Sequence, residues 1–107
     1  MKTARVALVT VIAAFELEDR LVEDLKRLGV KGYTLGKVDG RGVHGAVMSG
    51  LVDAPNLRLE MLVSHAVAAR VLERIAGRYV DQPIMAYTHE VDAMPACGGK
   101  HLARQGR

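Results

Sequence analysis

The chain is predicted to fold as an α+β domain: a four-stranded antiparallel sheet with two helices on one face. Three observations predict it. Two segments have the hydrophobic period of an amphipathic helix, and they alternate with β-branched or alternating apolar runs. The order is strand–helix–strand twice over, with a long glycine-rich connection between the halves. The 107 residues, half of them hydrophobic, suffice for one domain with one modest core of Val, Leu, Ile, Ala and Met. Right-handed crossovers in both halves then give the ferredoxin-like βαββαβ arrangement.

Arg5 to Ala13 is almost continuously apolar, as expected of a strand buried on both faces. Leu17, Leu21, Val22, Leu25 and Leu28 then recur at helical spacing. Glu16, Glu18 and Asp19 crowd the start of that helix and Lys26 and Arg27 its end, as the helix dipole favours, and Gly29 supplies the stop. Lys31 to Val38 reads as the second strand. From Asp39 to Asn56 the chain holds Gly40, Gly42, Gly45, Gly50 and Pro55 and no helical period. Connections of this length in a compact domain are functional or mobile. Leu57 to Val63 alternates, with Leu57, Leu59, Met61 and Val63 on one side and Arg58 and Glu60 on the other, which makes a third strand. Ser64 is placed to cap a second helix lined by Val67, Ala68, Val71, Leu72, Ile75 and Ala76, fading at Gly77. Ile84 to Val91 is the fourth strand. The domain is assigned to residues 1–92, with residues 93–107 a flexible tail marked by Pro95, Gly98 and Gly99. Because both sides of the first strand are aliphatic, the helix-free face of the sheet is expected to be buried between subunits.

Composition excludes several function classes. The formal charge is +3, with both signs mixed along most of the chain, which is not a nucleic-acid footprint. One Phe, three Tyr and no Trp give no aromatic platform for stacking RNA bases. The apolar run Val6 to Phe15 is too short to span a bilayer and has no signal-peptide character. The single Cys97 rules out an internal disulfide and fits a reducing cytoplasm, leaving an intermolecular bridge open. Cys97 and His101 have acceptable metal-ligand spacing, but no second pair accompanies them, so no metal is expected. His89 and Glu90 are adjacent on a strand and point to opposite faces, which argues against an acid–base pair. Arg58 and Glu60, two apart, read as a structural ion pair. No catalytic residue is assigned.

The stretch from Lys31 to Gly42 carries the functional signal: a short strand running into a basic, glycine-rich loop. Backbone N–H groups and Arg41 in such a loop can hold an anion; the same residues also suit a plain flexible connection. Gly29-Val30-Lys31-Gly32-Tyr33-Thr34 followed by Gly40-Arg41-Gly42 resembles the PII signalling superfamily, at the spacing that family shows between its second strand and its T-loop. The element order matches over roughly residues 4 to 92. The likeness is strongest to the PII-like proteins that accompany bicarbonate transporters and carboxysomes, which share Lys-Gly-Tyr-Thr.

The resemblance implies a cytoplasmic, non-enzymatic homotrimer with adenine nucleotides in the clefts between subunits. A T-loop at residues 39–56 would then change shape with the ligand and control a transporter, an enzyme or a carboxysome component in inorganic-carbon or nitrogen metabolism. By position it places Gly40, Arg41 and Gly42 at the phosphates, Thr34 near the adenine, and Ile12, Val63 and Tyr87 as walls. Departures from the family narrow the ligand. Val43 replaces an arginine, His44 and Gly45 replace a glutamine and a lysine, and the loop lacks the tyrosine that conventional members uridylylate. A glycine- and lysine-bearing loop is reduced to Asp81-Gln82-Pro83, and no arginines follow the last strand at Asp92–Ala96. AMP, cyclic AMP or ADP therefore fits better than ATP, with bicarbonate a further candidate anion. A two-cysteine redox tail, present in some relatives, does not carry over to Cys97 alone. The alternatives are a slow nucleotide hydrolase, for which Asp39 and Asp53 are the loop's carboxylates, and a CutA-like trimer, whose loop is not glycine-rich and basic here.

Overall fold

The computed structural model describes residues 1–39 and 56–94. The elements are β1 (Ala4–Ala14), a 3₁₀ turn (Phe15–Leu17), α1 (Glu18–Arg27), β2 (Thr34–Val38), β3 (Asn56–Val63), α2 (His65–Arg78) and β4 (Ile84–Ala93). The sheet runs β2-β3-β1-β4, with every neighbouring pair antiparallel. This is the expected ferredoxin-like order. The residues 40–55 assigned to the long connection, and 95–107 of the assigned tail, lie outside the described residues.

The central position of β1 explains its continuous apolar sequence. It pairs with β3 through Ala7–Ala14 and with β4 through Ala4–Ala13. Ala7, Val9, Val11 and Ala13 point to the helices and are almost wholly buried, beside Leu57, Leu59, Met61 and Val63 of β3. Leu21 and Leu25 from α1 and Val67, Val71 and Ile75 from α2 close this layer. Ser64 caps α2 as expected, its Oγ accepting from the Val67 N–H at 3.2 Å.

Helix α1 ends in a Schellman motif. Gly29 takes φ +99°, its N–H bonds the Lys26 carbonyl, and the Val30 N–H reaches back to that of Leu25. Glycine is favoured here because a Cβ would be strained in this left-handed conformation. Strand β2 starts at Thr34, three residues later than expected. Its pairing begins with Thr34 opposite Glu60, and Lys31-Gly32-Tyr33 approach it as exposed, unpaired chain. An edge strand lacks a second neighbour that would extend its ladder.

A buried polar cluster joins the helices. The Tyr79 hydroxyl donates to Asp24 Oδ2 at 2.6 Å, and Arg78 Nε lies 3.2 Å from the same oxygen. Arg20 stands over the Tyr79 ring, 5.2 Å from its centroid. Tyr79 and Asp24 are 1% and 5% exposed. Burial, and then the hydrogen bond and charge of Asp24, push the Tyr79 phenol up to about 12. An acid whose folded pKa lies above its unfolded value binds more protons when folded, so raising pH between the two values destabilises the fold. Stability is expected to fall by about 2 kcal/mol from pH 10 to 12. Urea titrations of wild type and Tyr79→Phe check this: the variant should lack that part of the alkaline loss.

Candidate functional site

The helix-free face of the sheet is built by register. Thr34, Glu60, Thr10 and Tyr87 form one row across all four strands, and Gly36, Arg58, Ile12 and Met85 the next. Leu62, Leu8 and His89 form a row beyond the start of β2. The centre, Thr10, is closed by its neighbours at 1% exposure, whereas Leu62, Met85 and Tyr87 are 44%, 45% and 41% exposed. Arg58 and Glu60 make the expected ion pair at 3.1 Å, within one strand and on this face.

At the start of β2 this face opens into a cleft of about 510 Å³ lined by Leu8, Gly32, Tyr33, Thr34, Glu60, Met61 and Leu62. Gly32, Tyr33 and Thr34 are the first half of the motif singled out in the sequence. A Cβ at Gly32 would meet nothing within 4 Å, so that rim is open. Leu8, Leu62 and Tyr33 supply apolar surface for a flat organic group. The Thr34 hydroxyl can donate or accept, and the Glu60 carboxylate accepts. Sequence reasoning did not place Leu8, Glu60 or Leu62 in the site; their register opposite the motif is a tertiary fact.

The residues proposed from the sequence divide into three groups. Thr34, Ile12 and Tyr87 share the open face, with Thr34 in the cleft and Tyr87 in the same row, three strands away. Val63 does not join them. It pairs with Ala7 on the helix side and is 1% exposed, so its side chain belongs to the core. Gly40, Arg41 and Gly42 lie outside the described residues. The connection that carries them leaves after Val38, which pairs with Asn56, at the opposite end of β2 from Thr34. Four residue steps separate Thr34 from Val38, about 13 Å of strand.

His89 and Glu90 point to opposite faces, as expected. His89 sits in the open-face row, while Glu90 joins a helix-side cluster with Arg5 at 2.9 Å and His65 at 3.1 Å. The Arg5 hydrogen bond, then its charge and His65, hold the Glu90 carboxyl below the usual range. Among the described residues no three His, Cys, Asp or Glu side chains converge as a metal site would need, and no helix is long and apolar enough to cross a membrane.

The fold is that of a known class of regulatory protein. The family model for nitrogen regulatory protein P-II matches residues 6–92, and the chain belongs to that family. A protein of Thermus thermophilus assigned to the PII-like signalling proteins is 36% identical, with a TM-score of 0.76 over 92% of this chain and 99% of its own. CPII of Thiomonas intermedia, in a structure with ADP, AMP and acetate, is 20% identical at a TM-score of 0.76 over 89% of this chain and 95% of its own. GlnK of B. subtilis, in complex with ATP, is more distant: 19% identical, TM-score 0.59, over 81% and 84%. CPII has also been solved with ADP, AMP and bicarbonate. No curated protein sequence matches the chain.

Proposed function

We propose that the chain is a trimeric, non-enzymatic PII-like sensor that binds AMP, cyclic AMP or ADP in preference to ATP at clefts between subunits. The observation that carries this reading is the cleft at Gly32-Tyr33-Thr34, open along the same face that exposes Leu62, Met85 and Tyr87. The connection that carries Gly40-Arg41-Gly42 departs after Val38, at the end of β2 opposite Thr34, and in this reading the loop that completes the cleft comes from a neighbouring chain. Burying the open face against a second copy brings one chain's cleft beside another chain's loop. Thr34 then faces the adenine, Gly40, Arg41 and Gly42 take the phosphate, and Ile12 and Tyr87 form the wall.

Binding of ADP, AMP and bicarbonate by CPII supports the choice of ligand class. Val43 and the lack of arginines at Asp92–Ala96 support a ligand with few phosphates. In this reading nucleotide and bicarbonate set the order of the 39–56 connection, and that order controls a transporter, an enzyme or a carboxysome component in the cytoplasm. Isothermal titration with AMP, cyclic AMP, ADP and ATP tests it. At least one of the first three is expected to bind tighter than ATP, with one site per chain. No heat from any of the four would refute the proposal.

A further inference from the structure

On the helix side, a second, shallow and open cleft of about 490 Å³ lies between the end of α1 and the outer face of α2. Its lining is Leu28, Arg70, Glu73, Arg74, Gly77 and Arg78. The three arginines recur every four residues, so one helix face carries them along three successive turns. Arg78 is held in place from below. Its Nε lies 3.2 Å from Asp24, whose carboxylate is nearly buried and is itself fixed by the Tyr79 hydroxyl at 2.6 Å. A guanidinium has five N–H donors, and the ion pair to Asp24 leaves others for a ligand. Arg70 and Arg74 have no carboxylate within 4.0 Å among the described residues.

From this arrangement we infer that the cleft is a second ligand site, taking a small organic monophosphate that carries hydroxyl groups. Arg70, Arg74 and the pre-oriented Arg78 receive the phosphate, as arginine forks do. Glu73 disfavours a longer polyphosphate by like charge and accepts a hydrogen bond from a ligand hydroxyl. Leu28 supplies the apolar surface for the organic body, and Gly77, with no side chain, leaves room beside it. A Cβ at Gly77 meets nothing within 4 Å, so a side chain added there would occupy the space proposed for the ligand.

The test is an NMR titration of the ¹⁵N-labelled full chain with ribose 5-phosphate, and separately with inorganic phosphate. Ribose 5-phosphate is expected to shift the amides of residue 28 and residues 70–78, with a dissociation constant of about 1 mM or tighter. It should bind more tightly than inorganic phosphate. Joint substitution of Arg70→Ala and Arg74→Ala should weaken it at least about tenfold. Gly77→Leu, which fills that space without a steric clash at Cβ, should abolish it while leaving the circular dichroism spectrum unchanged. Shifts confined to residues 32–34 and 60–62, unchanged binding in the Gly77→Leu chain, or equal affinity for inorganic phosphate would each overturn the assignment. Because the cleft lies on the other face of the sheet, failure here leaves the nucleotide reading untouched.

Discussion

Met85→Asp is expected to convert a three-chain particle into single, folded chains of 11.6 kDa. Met85 is 45% exposed in the isolated chain and lies in the open-face row beside Ile12, so one chain tolerates a carboxylate there. An assembly that buries this face does not. Desolvating an unpaired carboxylate costs several kcal/mol per ion, and a trimer would bury three. The dissociation constant should rise by more than about a hundredfold for every 3 kcal/mol lost. Sedimentation velocity reads the outcome, with Arg74→Asp on the helix side as the charge control that should leave the mass unchanged. A Met85→Asp particle of three chains would show that the open face is not the interface.

Asp24→Ala is expected to be the most destabilising change at a polar residue, at about 2–4 kcal/mol. The substitution strands the Tyr79 hydroxyl, which is buried and has Asp24 as its acceptor, and removes the counter-charge of Arg78. Arg78 is about half exposed and keeps water on its outer side, which limits the loss. Asp24→Asn keeps an acceptor for the hydroxyl and should cost roughly half as much. Urea denaturation at fixed protein concentration measures both, since assembly couples apparent stability to concentration. Equal stability of Asp24→Ala and wild type would show that the cluster does not hold α1 to α2.

The elements with a strong period were legible in the sequence. Leu17-Leu21-Leu25 and Val67-Val71-Ile75 place both helices, and the alternation from Leu57 to Val63 places β3, because burial on one face imposes those spacings. The start of β2 was less legible. Lys31-Gly32-Tyr33 has strand character, but where an edge strand begins to pair depends on its one neighbour, which lies over twenty residues away in the chain. Asp24 was hidden for a related reason. It occupies the buried stripe of α1 between Leu21 and Leu25, and its partner Tyr79 is 55 residues distant. A carboxylate within an apolar stripe was the available signal.

The candidate site was half legible. The motif directed attention to Thr34, and the structure sets Thr34 in the cleft. Val63 looked equivalent to its alternating neighbours, but on β3 the odd-numbered residues face the helices, which puts its side chain in the core. Glu60 and Leu62 share the opposite face, so they, not Val63, line the cleft. A one-residue difference decides the face because the side-chain period of a strand is two.

If the nucleotide site forms only between chains, separating the chains removes it, and calorimetry reads the loss. ADP is titrated into wild type and into Met85→Asp, whose substitution lies outside the residues lining the Thr34 cleft. One ADP per chain is expected for wild type, and binding at least about a hundredfold weaker for the folded single chain. Equal affinity in the single chain would place the whole site within one subunit and refute an intersubunit site.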